Sequence, residues 1–134
     1  MHCNLYVLKP KGCVVDTTPI YNDLNILSQG MIDYIGEDIT QRELEYAVRI
    51  YDIANDKEKA RERLEEIKGY IKKHLDNDEV DTYTLNEACG AYVAIISDDG
   101  YECTLHESEL ALDTLNNRLP HITDMEIAVF DYHQ

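Results

Sequence analysis

A chain of 134 residues holds material for one core and no second, since a domain of roughly 100–150 residues buries about two-thirds of its unfolded surface. Its 44% apolar and 29% charged residues exclude a disordered chain, and no run approaches the roughly 20 apolar residues that cross a bilayer. The net charge of −15 argues against nucleic acid or an anionic membrane as a direct partner and in favour of a basic one.

The start, Met1-His2-Cys3-Asn4, lacks the basic and apolar regions of a signal peptide, so a cytoplasmic location is expected. Cys3, Cys13, Cys89 and Cys103 are too widely spaced to suggest a disulfide scaffold and are expected as free, mostly buried thiols. Cys3, Leu5 and Val7 then alternate with His2, Asn4 and Tyr6, and Cys13-Val14-Val15-Asp16 follows Lys9-Pro10-Lys11-Gly12. Proline presets φ at the second turn position and glycine suits the fourth, which predicts an N-terminal β-hairpin. Ile20, Leu24, Leu27 and Met31 fall at helical spacing between Pro19 and Gly30, predicting a short helix.

Thr40-Gln41-Arg42-Glu43 has the capping-box pattern and predicts a helix over 41–54 with Leu44, Ala47, Val48, Tyr51 and Ala54 inward. Asn55-Asp56 breaks the pattern and caps a second helix whose stripe is Ala60, Leu64, Ile67, Ile71 and Leu75, giving a central helical hairpin. The outer face of that second helix mixes both signs, as a solvated helix does. Thr84-Leu85-Asn86-Glu87 predicts a further short helix ending at Gly90. Ala91 to Ser97, the turn Asp98-Asp99-Gly100 and Tyr101 to Leu105 give the clearest hairpin. A helix from Glu107 to Pro120 with Leu112, Leu115 and Leu119 inward, then a strand from Met125 to Tyr132, complete the chain. Strands at both ends of the sequence with helices between them predict a single α+β domain over 1–134, its helices on one face of a mostly antiparallel sheet.

The charge is unevenly distributed. Residues 56–75 hold seven bases and five acids, whereas the last 59 residues hold fourteen carboxylates against Arg118 alone. A solvated face normally interleaves the signs, because like charges within about 8–10 Å repel at physiological salt. Asp76, Asp78, Glu79, Asp81, Asp98, Asp99, Glu102, Glu107, Glu109 and Asp113, with Tyr101 among them, therefore form the expected partner-binding set. Duplex DNA presents about one negative charge per 1.7 Å, and a folded acidic surface suits the same basic groove. The expected partner is a basic protein, in particular a nucleic-acid-binding enzyme or effector complex, and the competing reading is an acidic surface kept for solubility. Ten tyrosines with no tryptophan suit an interface; Tyr83, Tyr101 and Tyr132 are the expected rim contacts, while Tyr46, Tyr51 and Tyr92 read as core or boundary.

A small, acidic, tyrosine-rich chain without an enzyme motif resembles in kind the antirestriction and anti-CRISPR proteins carried by phages and mobile elements. The resemblance implies an inhibitor or decoy that masks a nucleic-acid-binding groove; no motif of any one family is shared, so no family residue is carried over.

Other chemistry is weighed on its residues. A zinc site would draw on Cys103-x-x-His106 with Cys3, Cys13 or His2, and a hard-cation site on Asp98, Asp99 and Glu102, but the Asp-Asp-Gly turn explains the latter without a ligand. No G-x-S-x-G and no phosphate-binding glycine loop is present, so no catalytic residue, metal or cofactor is expected. The alternative from another class is a small cytosolic enzyme or metal-binding protein using Cys, His and carboxylate groups around the 98–106 hairpin.

Overall fold

The computed structural model describes residues 1–134. In chain order the elements are β1 (His2–Pro10), α1 (Thr17–Leu27), β2 (Tyr34–Asp38), α2 (Leu44–Asn55), α3 (Lys57–Asp76), α4 (Thr82–Cys89), β3 (Tyr92–Ser97), β4 (Gly100–His106), α5 (Glu107–Leu115) and β5 (Met125–His133), with a 3-10 turn at Thr40–Arg42 before α2. The class is α+β, and the five strands form one sheet in the order β2-β5-β1-β3-β4.

The expected N-terminal hairpin does not form, and the sheet is mixed. β1 lies at its centre, antiparallel to β5 and parallel to β3. Leu5 to Leu8 are buried without interruption, the pattern of a strand covered on both faces. After β1 the chain turns aside rather than back. Gly12, with φ 79°, is the third residue of a turn closed by the Cys13 amide donating to the Pro10 carbonyl at 3.1 Å, the position where a type II turn needs glycine. The buried Lys9 ammonium donates to the Cys13 carbonyl at 2.9 Å and pairs with Glu126, which anchors this turn to β5. Asp16, expected to end a strand, instead caps α1 by accepting from the Thr18 amide at 3.0 Å.

Helices cover both faces of the sheet, not one. Tyr6 and Leu8 of β1, Val93 and Ile95 of β3 and Val129 of β5 face a core shared with Ala47, Ile50 and Ile53 of α2, Ala60 of α3 and Leu110 of α5. The alternate residues Leu5, Val7, Ala94, Ile96, Ala128 and Tyr132 face a smaller core closed by Ile20 and Leu24 of α1 and by Ile32. The period of two along each strand thus supplies two cores at once.

Several local signals were overridden by tertiary partners. The Thr40 hydroxyl accepts from the Val129 amide at 2.9 Å and bonds Asp38, so it makes no capping box with Glu43. α2 consequently starts at Leu44 with its buried stripe on Ala47, Ile50, Ile53 and Ala54, leaving Leu44 and Val48 exposed. Asp56 caps α3 as expected, accepting from the Glu58 and Lys59 amides, and the Arg49–Glu66 bridge at 2.6 Å ties the two helices of the hairpin together. α4 begins one turn early because Asp81, not Thr84, is its cap. α5 ends at Leu115, before Pro120, and β2 forms in a stretch for which no strand is expected.

Candidate functional site

β4 pairs only with β3 and is an outer strand of the sheet. Its register slips once: Ile95 pairs with Cys103 and Ile96 with Tyr101, so Glu102 has no residue opposite and lies on a bulge, exposed. The Ser97 hydroxyl donates to Glu102 at 2.6 Å and holds that carboxylate at the edge. On one side of the sheet α1 brings Asp23, which accepts from the Tyr101 hydroxyl at 2.6 Å. On the other side α5 brings Glu109 and Asp113. Burial first, then the charges of Asp113, Glu102, Glu109 and Asp23, push the Cys103 thiol above its ordinary range. Asp23, Glu102 and Asp113 have no lysine or arginine within ion-pair distance, and Glu109 approaches only His106, at 3.6 Å. The acidic edge therefore crosses all three layers, α1, β4 and α5.

The expected binding set is divided by the fold. Tyr101, Glu102, Glu109 and Asp113 fall on or beside this edge, with Asp98 and Asp99 at the turn that begins it. Asp98 is tied down: Thr123 donates to it from its amide at 2.8 Å and from its hydroxyl, and these bonds hold the Asp98 carboxyl below its usual range. Asp76, Asp78, Glu79 and Asp81 lie elsewhere, in the link from α3 to α4, where Asp81 is a cap and Glu79 approaches His74 at 3.5 Å. Lys57, at the start of α3, shares a groove with Asp113. Asp76 closes the same 20-residue helix, about 28 Å farther along at 1.5 Å per residue. The two acidic groups therefore do not merge.

Glu107 is a correction. It was grouped with the surface carboxylates and is 0% exposed. At the start of α5 its Oε1 accepts from the Tyr46 hydroxyl at 2.7 Å and from the Ala91 amide at 2.8 Å, while Oε2 accepts from Arg63 Nε at 2.9 Å. One carboxylate so joins α2, α3, α5 and the approach to β3. Burial, and then the bond to Glu107, push the Tyr46 hydroxyl above the ordinary phenol range and keep it a donor. Three donors from three different segments hold the carboxylate, and with no exposure to solvent it reads as a structural centre. Tyr132 is also corrected, from rim contact to core, at 5% exposure, whereas Tyr83 is 70% exposed.

No three or more His, Cys, Asp or Glu side chains converge in a way that could hold a metal ion. Cys103 packs toward the larger core, while His106 stacks on Tyr92 at 4.5 Å, so the Cys103-x-x-His106 pair does not form a ligand set. A thiol raised by burial and carboxylates is also a poor nucleophile. All four cysteines are free and half-buried. No helix is long and apolar enough to cross a membrane. Comparison with protein-family models, curated proteins and solved structures finds no match for this chain.

A pH dependence follows from three anchored carboxylates. The Thr84 amide lowers Asp81, the Thr123 hydroxyl lowers Asp98 and the Lys9 ammonium lowers Glu126 from their ordinary values. A depressed folded-state pKa gives stability that is present above the unfolded value, about 4, and is lost as pH falls through the folded value. Thermal scans should therefore show the difference between the native chain and Glu126→Gln constant from about pH 7 to 5 and shrinking below about pH 4. A difference that grew on acidification would contradict the assignment.

Proposed function

We propose that this chain is an acidic binding protein that docks a basic protein through the outer edge of β4. Its primary role is as an inhibitor or decoy covering the groove where that partner holds nucleic acid. The observation that carries the reading is that Asp23, bonded to Tyr101 of β4, Glu102 on the β4 bulge, and Glu109 and Asp113 of the adjoining α5 lie on or beside one outer strand without a lysine or arginine paired to any of them. Unpaired carboxylates repel one another, and a cationic surface removes that repulsion on docking while the protein's net negative charge speeds encounter. The link carboxylates Asp76, Asp78 and Glu79 add to the long-range field but stand outside the contact.

The test is binding to a panel of basic nucleic-acid-binding proteins across a salt series, with duplex DNA as competitor. Affinity should fall steadily with added salt, and duplex should displace the chain. Glu102→Lys combined with Asp113→Lys should weaken binding by about tenfold or more and flatten the salt slope, since reversal turns two attractions into repulsions. Asp76→Lys with Asp78→Lys should change affinity by much less. Equal effects from the two pairs would remove β4 as the docking edge, and salt-independent binding would remove the electrostatic reading altogether.

A further inference from the structure

At the end of the sheet where β3 begins and β4 ends, a cleft of about 720 Å³ opens between α4, the loop after α1 and the strand ends. Its size lies in the range of small-molecule sites, about 300–1,000 Å³. Tyr83, Tyr92 and Tyr132 supply aromatic lining, Met31 adds an apolar wall, and His106 stacks on Tyr92. Tyr132 meets Tyr92 edge-on at 6.4 Å. Glu87 is the one acidic side chain in the lining, and no lysine or arginine reaches it. The Tyr83 hydroxyl donates to Glu87 Oε1 at 2.9 Å, which fixes that carboxylate and leaves Oε2 without a protein donor.

The floor of the cleft is bonded to the interior. Gly90 and Ala91 line it, and Ala91 exchanges two hydrogen bonds with the buried Glu107: its amide donates to the carboxylate at 2.8 Å and its carbonyl accepts from the Glu107 amide at 3.0 Å. A cleft lined by aromatic, apolar and uncharged polar side chains with one carboxylate, Glu87, selects a group that is both cationic and able to lie on a ring face. An anion finds no lysine or arginine there, the Met1 ammonium being engaged by His133 and the Gln134 carbonyl, and a purely apolar group would leave Glu87 desolvated without a partner.

From this juxtaposition we infer that the cleft binds an organic cation, a guanidinium or alkylammonium group on an apolar stem, with Glu87 as its counter-ion and the Tyr83 and Tyr92 rings as its bed. The planar guanidinium is the better fit because it stacks while donating in its own plane. The site adjoins the β4 edge only through His106, which Glu109 approaches at 3.6 Å, and its ligand is either a free amine or an arginine side chain of a protein.

Amide-resolved NMR titration separates these cases, with agmatine as the free cation, a short arginine-containing peptide as the side-chain source, and the same peptide with citrulline as the neutral control. The expected result is saturable shifts at Tyr83, Glu87, Gly90, Tyr92 and His106 with both cations and none with citrulline; the tighter of the two identifies the source. Glu87→Gln and Tyr83→Leu, both at exposed positions, should each weaken binding about three- to fivefold with the rest of the spectrum unchanged. Equal shifts from the citrulline peptide, shifts confined to β4 and α5, or no saturable shift at the cleft would each overturn the assignment. The β4 proposal is read from charge reversal at Glu102 and Asp113, so the two can fail separately.

Discussion

Replacing Glu107 with alanine should lower the free energy of unfolding by about 3–5 kcal/mol, the range seen when one member of a buried ion pair is removed. The loss comes from what is left behind. Arg63, whose side chain is 14% exposed, loses its buried partner and keeps only the exposed Glu66, at 3.3 Å, and the Tyr46 hydroxyl and Ala91 amide lose their acceptor. Against a total of about 5–15 kcal/mol for a domain of this kind, such a loss leaves a marginal fold. Glutamine is no remedy, since its amide group brings a donor to a site where three donors already converge. Urea titration gives the measurement: the midpoint should fall sharply for Glu107→Ala, and Arg63→Met should behave similarly. Joining Arg63→Met to Glu107→Met should lose less than the sum of the singles, because no lone charge remains. A loss below about 1 kcal/mol for Glu107→Ala would mean that the carboxylate is hydrated and the network is not structural.

Glu107 also marks where the sequence stops being informative. An acid at the first position of a helix is the ordinary complement of the helix dipole, so nothing local separates Glu107 from the exposed Glu109 two residues on. Its burial depends on Tyr46 and Arg63, 61 and 44 positions away. The β3–β4 hairpin, by contrast, was legible, since β-rich runs around Asp-Gly carry their pairing in adjacent residues. The α2–α3 corner was legible for the same reason, through the Asp56 cap. β1 misled because its own turn residues suit a return strand, while its true neighbours come from the far end of the chain, with Leu5 opposite Phe130 and beside Tyr92. Asp23 is bonded to Tyr101 of the β4 edge but lies outside the last 59 residues, where the acid excess is concentrated, so counting charge along the sequence did not find it. The acidic excess of the C-terminal part was correctly visible as a quantity; its division into a β4 edge, an α3–α4 link and one interior carboxylate was not.

Gly90→Ala should cost about 2–4 kcal/mol, for two separable reasons. The first is conformational: Gly90 has φ 83° and ψ −165°, a region open essentially to glycine alone. The second is steric: a Cβ at this position would lie 2.8 Å from the Glu107 carboxyl carbon and Oε1. That carboxylate cannot simply swing aside, because Tyr46, Ala91 and Arg63 hold it from three directions. Gly69, in the interior of α3 with nothing within 4 Å of its added Cβ, is the matched control, and Gly69→Ala should stabilise by about 0.5–1 kcal/mol. Combining Gly90→Ala with Glu107→Ala isolates the steric part: truncation of Glu107 clears the space, so the double variant should lose measurably less than the sum of the singles, with only the backbone strain of residue 90 carried over in full. Additive losses in urea titration would show that Glu107 already yields to the new methyl group, and the two residues would then not be interlocked. Because Gly90 and Ala91 also form the floor of the aromatic cleft, the same substitution should reduce agmatine binding there even where the fold survives, linking the interior ion pair to the shape of the surface site.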